Sequence, residues 1–460
     1  MHENTYRQKQ QLLSKSSKLL FPEYIKTIEI DSRIIVLSPT TANWLSLTQS
    51  EHSLFIRLEA GATIGEVFDS ARVGDVQADF ESLMAHLLSR EFGRTDARPE
   101  PIIEPVFGAH LYLTNACNLR CTHCYMDSGK AEARELSVDE WMRVIDTFAD
   151  CGGKSITFSG GELLAKRGWL KILRHAAKRN IPATALTNGT MWTPSQIKTA
   201  SPLLAEVQIS VDGPSEGVNS ITRGNGKFAL ALETARAFAE NGVRTSVAMT
   251  PTQETINLFG KDFFQFFTKE ILPYGVNLKI SQKLLADRAN TKLTEVQERE
   301  YLRVVRSLSD LIYPTASIRA FTLGHKPNQI QENCGLGGLT VSAQGDIYPC
   351  NRISELVNCG NVRDGNFKEA ISALFRINVL TRVENVSPCK FCDLRYVCGG
   401  GCRLDDYILR DKISRQPLSF SQRRIDESTV LEKRECSDEY RQSILRKMLA
   451  VRGYLHERAS

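Results

Sequence analysis

The sequence predicts an α/β chain built around a partial (β/α)6 barrel. A small α+β unit precedes the barrel and a cysteine-rich region follows it. Three observations carry this. Strand-like and helix-like patterns alternate from Ala109 to Ser281. Before residue 92 the strands come first and the helices after them. From Cys334 onward glycines and cysteines dominate and apolar runs are short.

In the first unit, placed at residues 1–92, Ile28–Ile30, Arg33–Leu37 and Ala42–Leu47 read as short strands. Ser38-Pro39-Thr40 is the turn between the last two. Phe80, Leu83, Met84, Leu87 and Leu88 recur at the spacing of one helical face. Residues 93–108 carry Pro99, Pro101 and Pro105, which favours an extended, semi-rigid linker.

Residues 109–325 form the barrel. Its strands are expected at Leu111–Leu113, Ser155–Phe158, Ala183–Leu186, Val207–Val211, Thr245–Met249 and Asn277–Ser281. Helices are expected at Val138–Phe148, Leu170–Lys178 and Phe228–Ala239. Such alternation builds βαβ units and a parallel sheet. Six repeats fall short of a closed eight-stranded barrel, and the active site of such a fold lies at the C-terminal strand ends. Residues 326–440 form the cysteine-rich region, whose low apolar content makes bound metal a source of its folding free energy. A charged helix closes the chain over 441–460, with Ser437 or Asp438 as its N-cap.

The 460 residues are 42% hydrophobic and 24% charged, ordinary values for a globular chain. No stretch approaches the roughly 18 apolar residues of a membrane span. The polar segment Met1–Lys18 lacks the apolar core of a signal peptide. A cytoplasmic location without membrane contact is expected. The net charge of +5 is mild, and aromatic residues do not interleave with basic runs, so nucleic acid is not an expected partner. Twelve cysteines in such a chain point to metal or catalysis rather than disulfides.

Three of them stand in Cys117-Asn-Leu-Arg-Cys121-Thr-His-Cys124, just after the first barrel strand. A structural zinc site wants four ligands, which His123 would complete. A cluster held by three cysteines instead leaves one iron open. Ser159-Gly160-Gly161-Glu162, Thr187-Asn188-Gly189 and Ser210-Val211-Asp212-Gly213 end the next three strands. Glycines let backbone approach a ligand, and Glu162 suits an ammonium group.

Loop and strand ends together resemble the radical S-adenosylmethionine (SAM) superfamily, with His123 in the aromatic slot of its cysteine motif. The resemblance implies a 4Fe–4S cluster on Cys117, Cys121 and Cys124. Its open iron chelates SAM, and reduction yields a 5′-deoxyadenosyl radical that abstracts hydrogen. It also implies SAM contacts from Gly160, Gly161, Glu162, Asn188, Ser210 and His123.

Cys334 is followed by Gly345-Asp-Ile-Tyr-Pro-Cys350, then Cys389-x2-Cys392-x5-Cys398-x3-Cys402, then Cys436. C-x2-C pairs also suit zinc ribbons. The full spacing resembles the SPASM domain, which implies two auxiliary 4Fe–4S clusters and three clusters in all. By resemblance, Cys334, Cys350 and Cys402 bind the first, and Cys389, Cys392, Cys398 and Cys436 the second. Cys359, the nearest free thiol, is expected to complete the first shell; the alternative is an open iron, with Cys359 a packing residue. Cys151 carries no expected role.

The segment Ile34-Val-Leu-Ser-Pro-Thr-Thr-Ala-Asn-Trp44-Leu-Ser-Leu47, with its helices, resembles the PqqD-like, winged-helix-like recognition element of enzymes that modify ribosomally made peptides. Such modules add a leader peptide as a strand at a sheet edge. A small structural or dimerisation domain is the alternative.

The domain order resembles peptide maturases. It implies a precursor peptide with a leader and a flavodoxin- or ferredoxin-type electron donor as partners. Formylglycine formation is disfavoured: Asn351 stands after Cys350 where anaerobic sulfatase maturases have an aspartate base, and an amide takes no proton at neutral pH. A cysteine thioether cross-link is the expected product. Carbon–carbon cross-linking and epimerisation are alternatives, as is a non-catalytic iron–sulfur peptide-binding or redox-sensing protein. No side chain identifies itself as catalytic base or hydrogen donor. Arg223-Gly224 resembles a loop segment of these enzymes, with Asn219-Ser220 replacing the usual His-Asp.

Overall fold

The computed structural model describes residues 14–103, 107–260, 262–281, 283–284, 288, 293–312, 326–434 and 436–457. Pro105 and the outer ends of the first and last expected segments lie outside them.

β1 (Lys26–Ile30), β2 (Arg33–Ser38) and β3 (Asn43–Leu47) form an antiparallel meander in that order. β3 begins one residue later than expected because Ala42 takes a left-handed φ of 54°. Helices α1 (Gln49–Glu59), α2 (Ile64–Val73) and α3 (Gln77–Ser89) follow. Thr48 with Glu51, and Thr63 with Glu66, form capping boxes that start the first two.

Strand alternation sorts this sheet into two apolar faces. Ile34, Val36, Leu45 and Leu47 pack under the helices with Phe55, Leu58, Leu83 and Leu87. Ile35, Leu37 and Trp44 face the other way, onto Leu394, Val397, Ile444, Leu445 and Met448 of the cysteine-rich region and the C-terminal helix. The Trp44 indole N–H donates to the Met448 carbonyl at 3.1 Å, and Lys26 pairs with Asp393 at 2.7 Å. The first unit thus shares a core with the far end of the chain. The proline segment is clamped too: Leu20 pairs with Arg94, and Ile102 with Gln329.

The barrel strands are β4 (Gly108–Tyr112), β5 (Ser155–Ser159), β6 (Ala183–Thr187), β7 (Glu206–Ser210), β8 (Arg244–Met249) and β9 (Asn277–Ile280), all parallel and hydrogen-bonded in chain order. α4 (Val138–Asp150) and α5 (Trp169–Lys178) cover them with Trp141, Val144, Ile145 and Phe148, and with Trp169, Ile172 and Leu173. α6 (Pro194–Ala200), α7 (Glu216–Arg223), α8 (Phe228–Glu240), α9 (Asp262–Phe266) and α10 (Glu295–Ile312) continue the layer. Each fully buried Leu, Ile or Phe contributes about 1.5–3 kcal/mol.

The cysteine-rich region does not stand apart from this sheet. β10 (Leu339–Val341) pairs parallel with β4, and β11 (Ile347–Tyr348) pairs antiparallel with β10, making eight strands. α11 (Phe367–Leu380), the one-turn α12 (Arg395–Cys398) and a sheet of β12 (Tyr407–Asp411), β13 (Pro417–Leu418) and β14 (Thr429–Lys433) follow. α13 (Asp438–Glu457) is capped by the Ser437 hydroxyl, which accepts from the Tyr440 N–H at 3.2 Å. Among the described residues no helix is long and apolar enough to cross a membrane.

Candidate cofactor and metal sites

The loop carrying Cys117, Cys121 and Cys124 leaves the C-terminal end of β4. Each sulfur has an N–H donor aimed at it. Leu119 N–H lies 3.4 Å from Cys117 Sγ, with Asn188 Nδ2 at 3.9 Å. Arg223 Nη1 is 3.9 Å from Cys121 Sγ, and Ser128 N–H is 3.4 Å from Cys124 Sγ. Burial pushes the Cys117 and Cys121 thiols up. Donors gathered on sulfur suit thiolates, so the three residues fit an iron–sulfur cluster. Among the described residues no three Cys, His, Asp or Glu side chains gather closely enough to hold one metal ion.

β5 ends against this loop. A Cβ on Gly160 would stand 2.5 Å from the Thr114 carbonyl oxygen, and one on Gly161 2.4 Å from that of Ala116. Gly160 also has a φ of 142°. The backbone these glycines admit is that of the cysteine loop itself: Gly161 N–H donates to Thr114 and Glu162 N–H to Ala116.

Glu162 spends its carboxylate on partners within the protein. The side chain is 1% exposed. Its carboxylate accepts from Thr187 Oγ1 at 2.6 Å, Asn188 N–H at 2.7 Å and Leu164 N–H at 3.4 Å. Burial pushes its pKa up against those three bonds. Glu162 therefore ties the end of β5 to the end of β6. Asn188 reaches the cysteine loop, donating to Asn118 Oδ1 at 2.9 Å. Ser210 closes β7, half-buried and in register with Ala248.

His123 is turned toward Asp212, Nε2 to Oδ2 at 3.1 Å. Asp212 is wholly buried and also meets Arg223 Nε at 2.5 Å and the Thr250 N–H at 3.0 Å. Burial pushes its carboxyl up, but the Arg223 and His123 charges and these bonds hold it below its ordinary value. Asn219 accepts from the Asp212 N–H at 2.9 Å, which gives the residue replacing the usual histidine a structural task. Sequence reasoning missed Asp212; an Asp-Gly at a strand end reads as a turn until Arg223 is seen folded back on it.

Two tyrosines join this loop to the cysteine-rich region. Tyr112 is buried, and its hydroxyl donates to the Asn351 carbonyl at 2.7 Å while lying 2.8 Å from the Tyr125 hydroxyl. Tyr125 follows Cys124, and Asn351 follows Cys350.

Cys334, Cys350 and Cys402 act on one another electrostatically. Burial, then its two neighbours, push Cys350 up to about 11. Arg352 donates to Cys402 Sγ at 3.5 Å and pairs with Asp405 at 2.7 Å. Cys359, the thiol expected to complete this shell, is turned to other partners in this structure. Its thiol donates to the Val357 carbonyl at 3.7 Å, its charged neighbour is Arg424, and like Cys350 it packs against the barrel core.

Cys389, Cys392, Cys398 and Cys436 line one cavity of about 290 Å³. Gly400 N–H is aimed at Cys398 Sγ at 3.3 Å, and the Tyr407 hydroxyl lies 3.1 Å from Cys389 Sγ. Cys151 caps α4, away from these groups.

Residues 111–260 match the sequence model of the Radical SAM superfamily. The chain is 27% identical over 305 residues to the mycofactocin maturase MftC of Mycolicibacterium smegmatis, covering 63% of this chain and 76% of that protein. It is 25% identical over 349 residues to an AdoMet-dependent heme synthase of Nitratidesulfovibrio vulgaris, covering 68% and 92%. The solved structure of native anSMEcpe with bound AdoMet shares the fold at a TM-score of 0.50 and 18% identity, over 76% of this chain and 97% of that one.

Proposed function

We propose that this chain, a radical SAM enzyme, modifies a ribosomally made precursor peptide held through its leader, and that the product carries a cysteine thioether cross-link. One observation carries the proposal. The sheet of the N-terminal unit and the cysteine-rich region share a core through Trp44, Ile35 and Leu37. A fold suited to adding a peptide strand is thereby fixed to the body that holds the cysteine sites. The likeness to a mycofactocin maturase supports a maturation reaction.

SAM beside a reduced 4Fe–4S cluster supplies a carbon radical that takes a hydrogen atom from the peptide. Cys117, Cys121 and Cys124 would hold that cluster, with Asn188 and Arg223 donating to its sulfurs. Asp212 orients Arg223, and Glu162 fixes the strand end that carries Asn188. The seven C-terminal cysteines other than Cys359 would hold two auxiliary clusters. In the peptide, one hydrogen atom leaves the acceptor carbon, sulfur bonds to that carbon, the thiol proton goes to solvent, and one electron leaves toward the cysteine-rich region. A ferredoxin- or flavodoxin-type donor supplies the initial electron.

The test uses the full chain, because removing residues 1–92 would uncover Leu394, Ile444 and Met448. Reconstituted enzyme is given SAM, reductant and the small peptide encoded nearby. A thioether product has lost two hydrogens and a cysteine that alkylates. Carbon–carbon cross-linking loses two hydrogens and keeps that thiol. Epimerisation leaves the mass unchanged and takes up solvent deuterium. Absence of 5′-deoxyadenosine with the peptide present would remove the peptide reading altogether.

A further inference from the structure

Tyr407 is buried on β12, and its hydroxyl stands between two oxygen and sulfur neighbours. It donates to the Gly400 carbonyl at 2.9 Å and lies 3.1 Å from Cys389 Sγ. A phenol has one proton, so it serves one of the two at a time. The Gly400 carbonyl has a second donor, the Lys433 ammonium at 2.6 Å. Lys433 is only 6% exposed, its ammonium 4.9 Å from the centre of the Tyr407 ring.

The allocation changes when Cys389 ligates iron. A free thiol can give its own proton to the Tyr407 oxygen, which leaves the phenol proton on Gly400. An iron-bound sulfur has no proton and only accepts. Lys433 keeps the Gly400 carbonyl satisfied, so the phenol proton can turn to the sulfur without leaving a buried acceptor unpaired. Gly400 sits between Cys398, to whose sulfur its N–H points, and this shared carbonyl. Sulfur-directed hydrogen bonds stabilise the more negative, reduced cluster and raise its potential.

We propose that Tyr407 is a positioning residue that donates its phenol proton to the Cys389 sulfur of a loaded cluster, with Lys433 as the relay partner that releases it, and so raises that cluster's reduction potential. This rests on the reading that Cys389, Cys392, Cys398 and Cys436 hold the second auxiliary cluster. The ring of Tyr407 also packs beside Arg403, at 5.0 Å, so a Phe variant keeps the packing and loses only the hydroxyl.

The experiment is a redox titration of fully reconstituted chain, followed by the electron paramagnetic resonance of each reduced cluster. Tyr407→Phe should shift the second auxiliary cluster alone to lower potential, leaving the other two in place. An unshifted cluster overturns the proposal. So does a Tyr407→Phe protein that holds the other clusters and lacks this one, since the hydroxyl would then be needed for assembly. A second comparison does not depend on that variant. Lys433→Gln and Lys433→Leu both remove the charge, but only Leu leaves the Gly400 carbonyl to Tyr407 alone. The Leu protein should titrate below the Gln protein; equal potentials overturn the relay. Wild-type protein with no iron on these four cysteines would instead remove the functional reading on which the proposal rests.

Discussion

Asp212 and Arg223 meet at 2.5 Å, Oδ2 to Nε, with the carboxylate wholly withdrawn from solvent. The pair links the end of β7 to the end of α7, and Arg223 passes the link on to Cys121 at 3.9 Å. It ties the end of β7 to the cysteine loop. Removing one partner of such a pair leaves a buried charge, at a cost of about 3–5 kcal/mol. Arg223→Met should therefore lower the urea midpoint of the iron-free protein clearly. Adding Asp212→Asn to that variant should recover part of the loss, because the stranded charge goes with it. A double variant no more stable than the single one would show that the pair does not act as a unit.

Gly161→Ala tests the close approach of β5 to the cysteine loop. The added methyl would meet Ala116 O at 2.4 Å and Asn115 O at 2.7 Å, both backbone atoms that cannot swing aside. Overpacking of this kind costs about 1–3 kcal/mol. The expected outcome is a folded barrel by circular dichroism with reduced iron at Cys117, Cys121 and Cys124. Full iron uptake would show that the loop has slack the geometry does not suggest.

Local rules placed the six parallel strands and their helices, because strand alternation and helical spacing are written in neighbouring residues. They also placed the cysteine loop at the end of β4 and the serine cap before α13. What they could not give is set by contacts remote in sequence. Ile34 to Leu37 reads as one apolar run, and nothing in it says that Ile35 faces Ile444 while Ile34 faces the helices. The three donors to Glu162 come from Leu164, Thr187 and Asn188, two of them on another strand end, and no local pattern announces them. Asp212 went unread for the same reason.

Stability should fall in mild acid through His110. This residue stands on β4 beside Tyr112, the ring centres 4.6 Å apart, and its Nε2 is buried without a hydrogen-bond partner among the described residues. Burial lowers its pKa from 6.5 to about 4. A histidine depressed in this way binds its proton more readily when the chain unfolds. The stability it preserves is complete above pH 6.5 and is lost as pH falls toward about 4. His110→Phe keeps an aromatic ring against Tyr112 and removes the proton site. Between pH 7 and pH 5 its melting temperature should fall less than that of the wild type. Parallel curves would assign the acid sensitivity elsewhere.

Cys359 separates two versions of the first auxiliary site. Cys334, Cys350 and Cys402 bear on one another, whereas the Cys359 thiol points to the Val357 carbonyl. A packing thiol is a small apolar group, and replacing it with serine trades sulfur for a hydroxyl of similar shape. Cys359→Ser should keep the iron content and the cluster spectrum of the wild type, with a stability loss of about 1–2 kcal/mol from burying the hydroxyl. Cys402→Ser should lose the first auxiliary signal. If both hold, three protein sulfurs carry that cluster and one iron stays open to a fourth ligand, which a peptide thiolate would suit. Loss of the same signal in Cys359→Ser would mean that the loop from Val357 to Gly360 moves on metal binding and closes the shell after all.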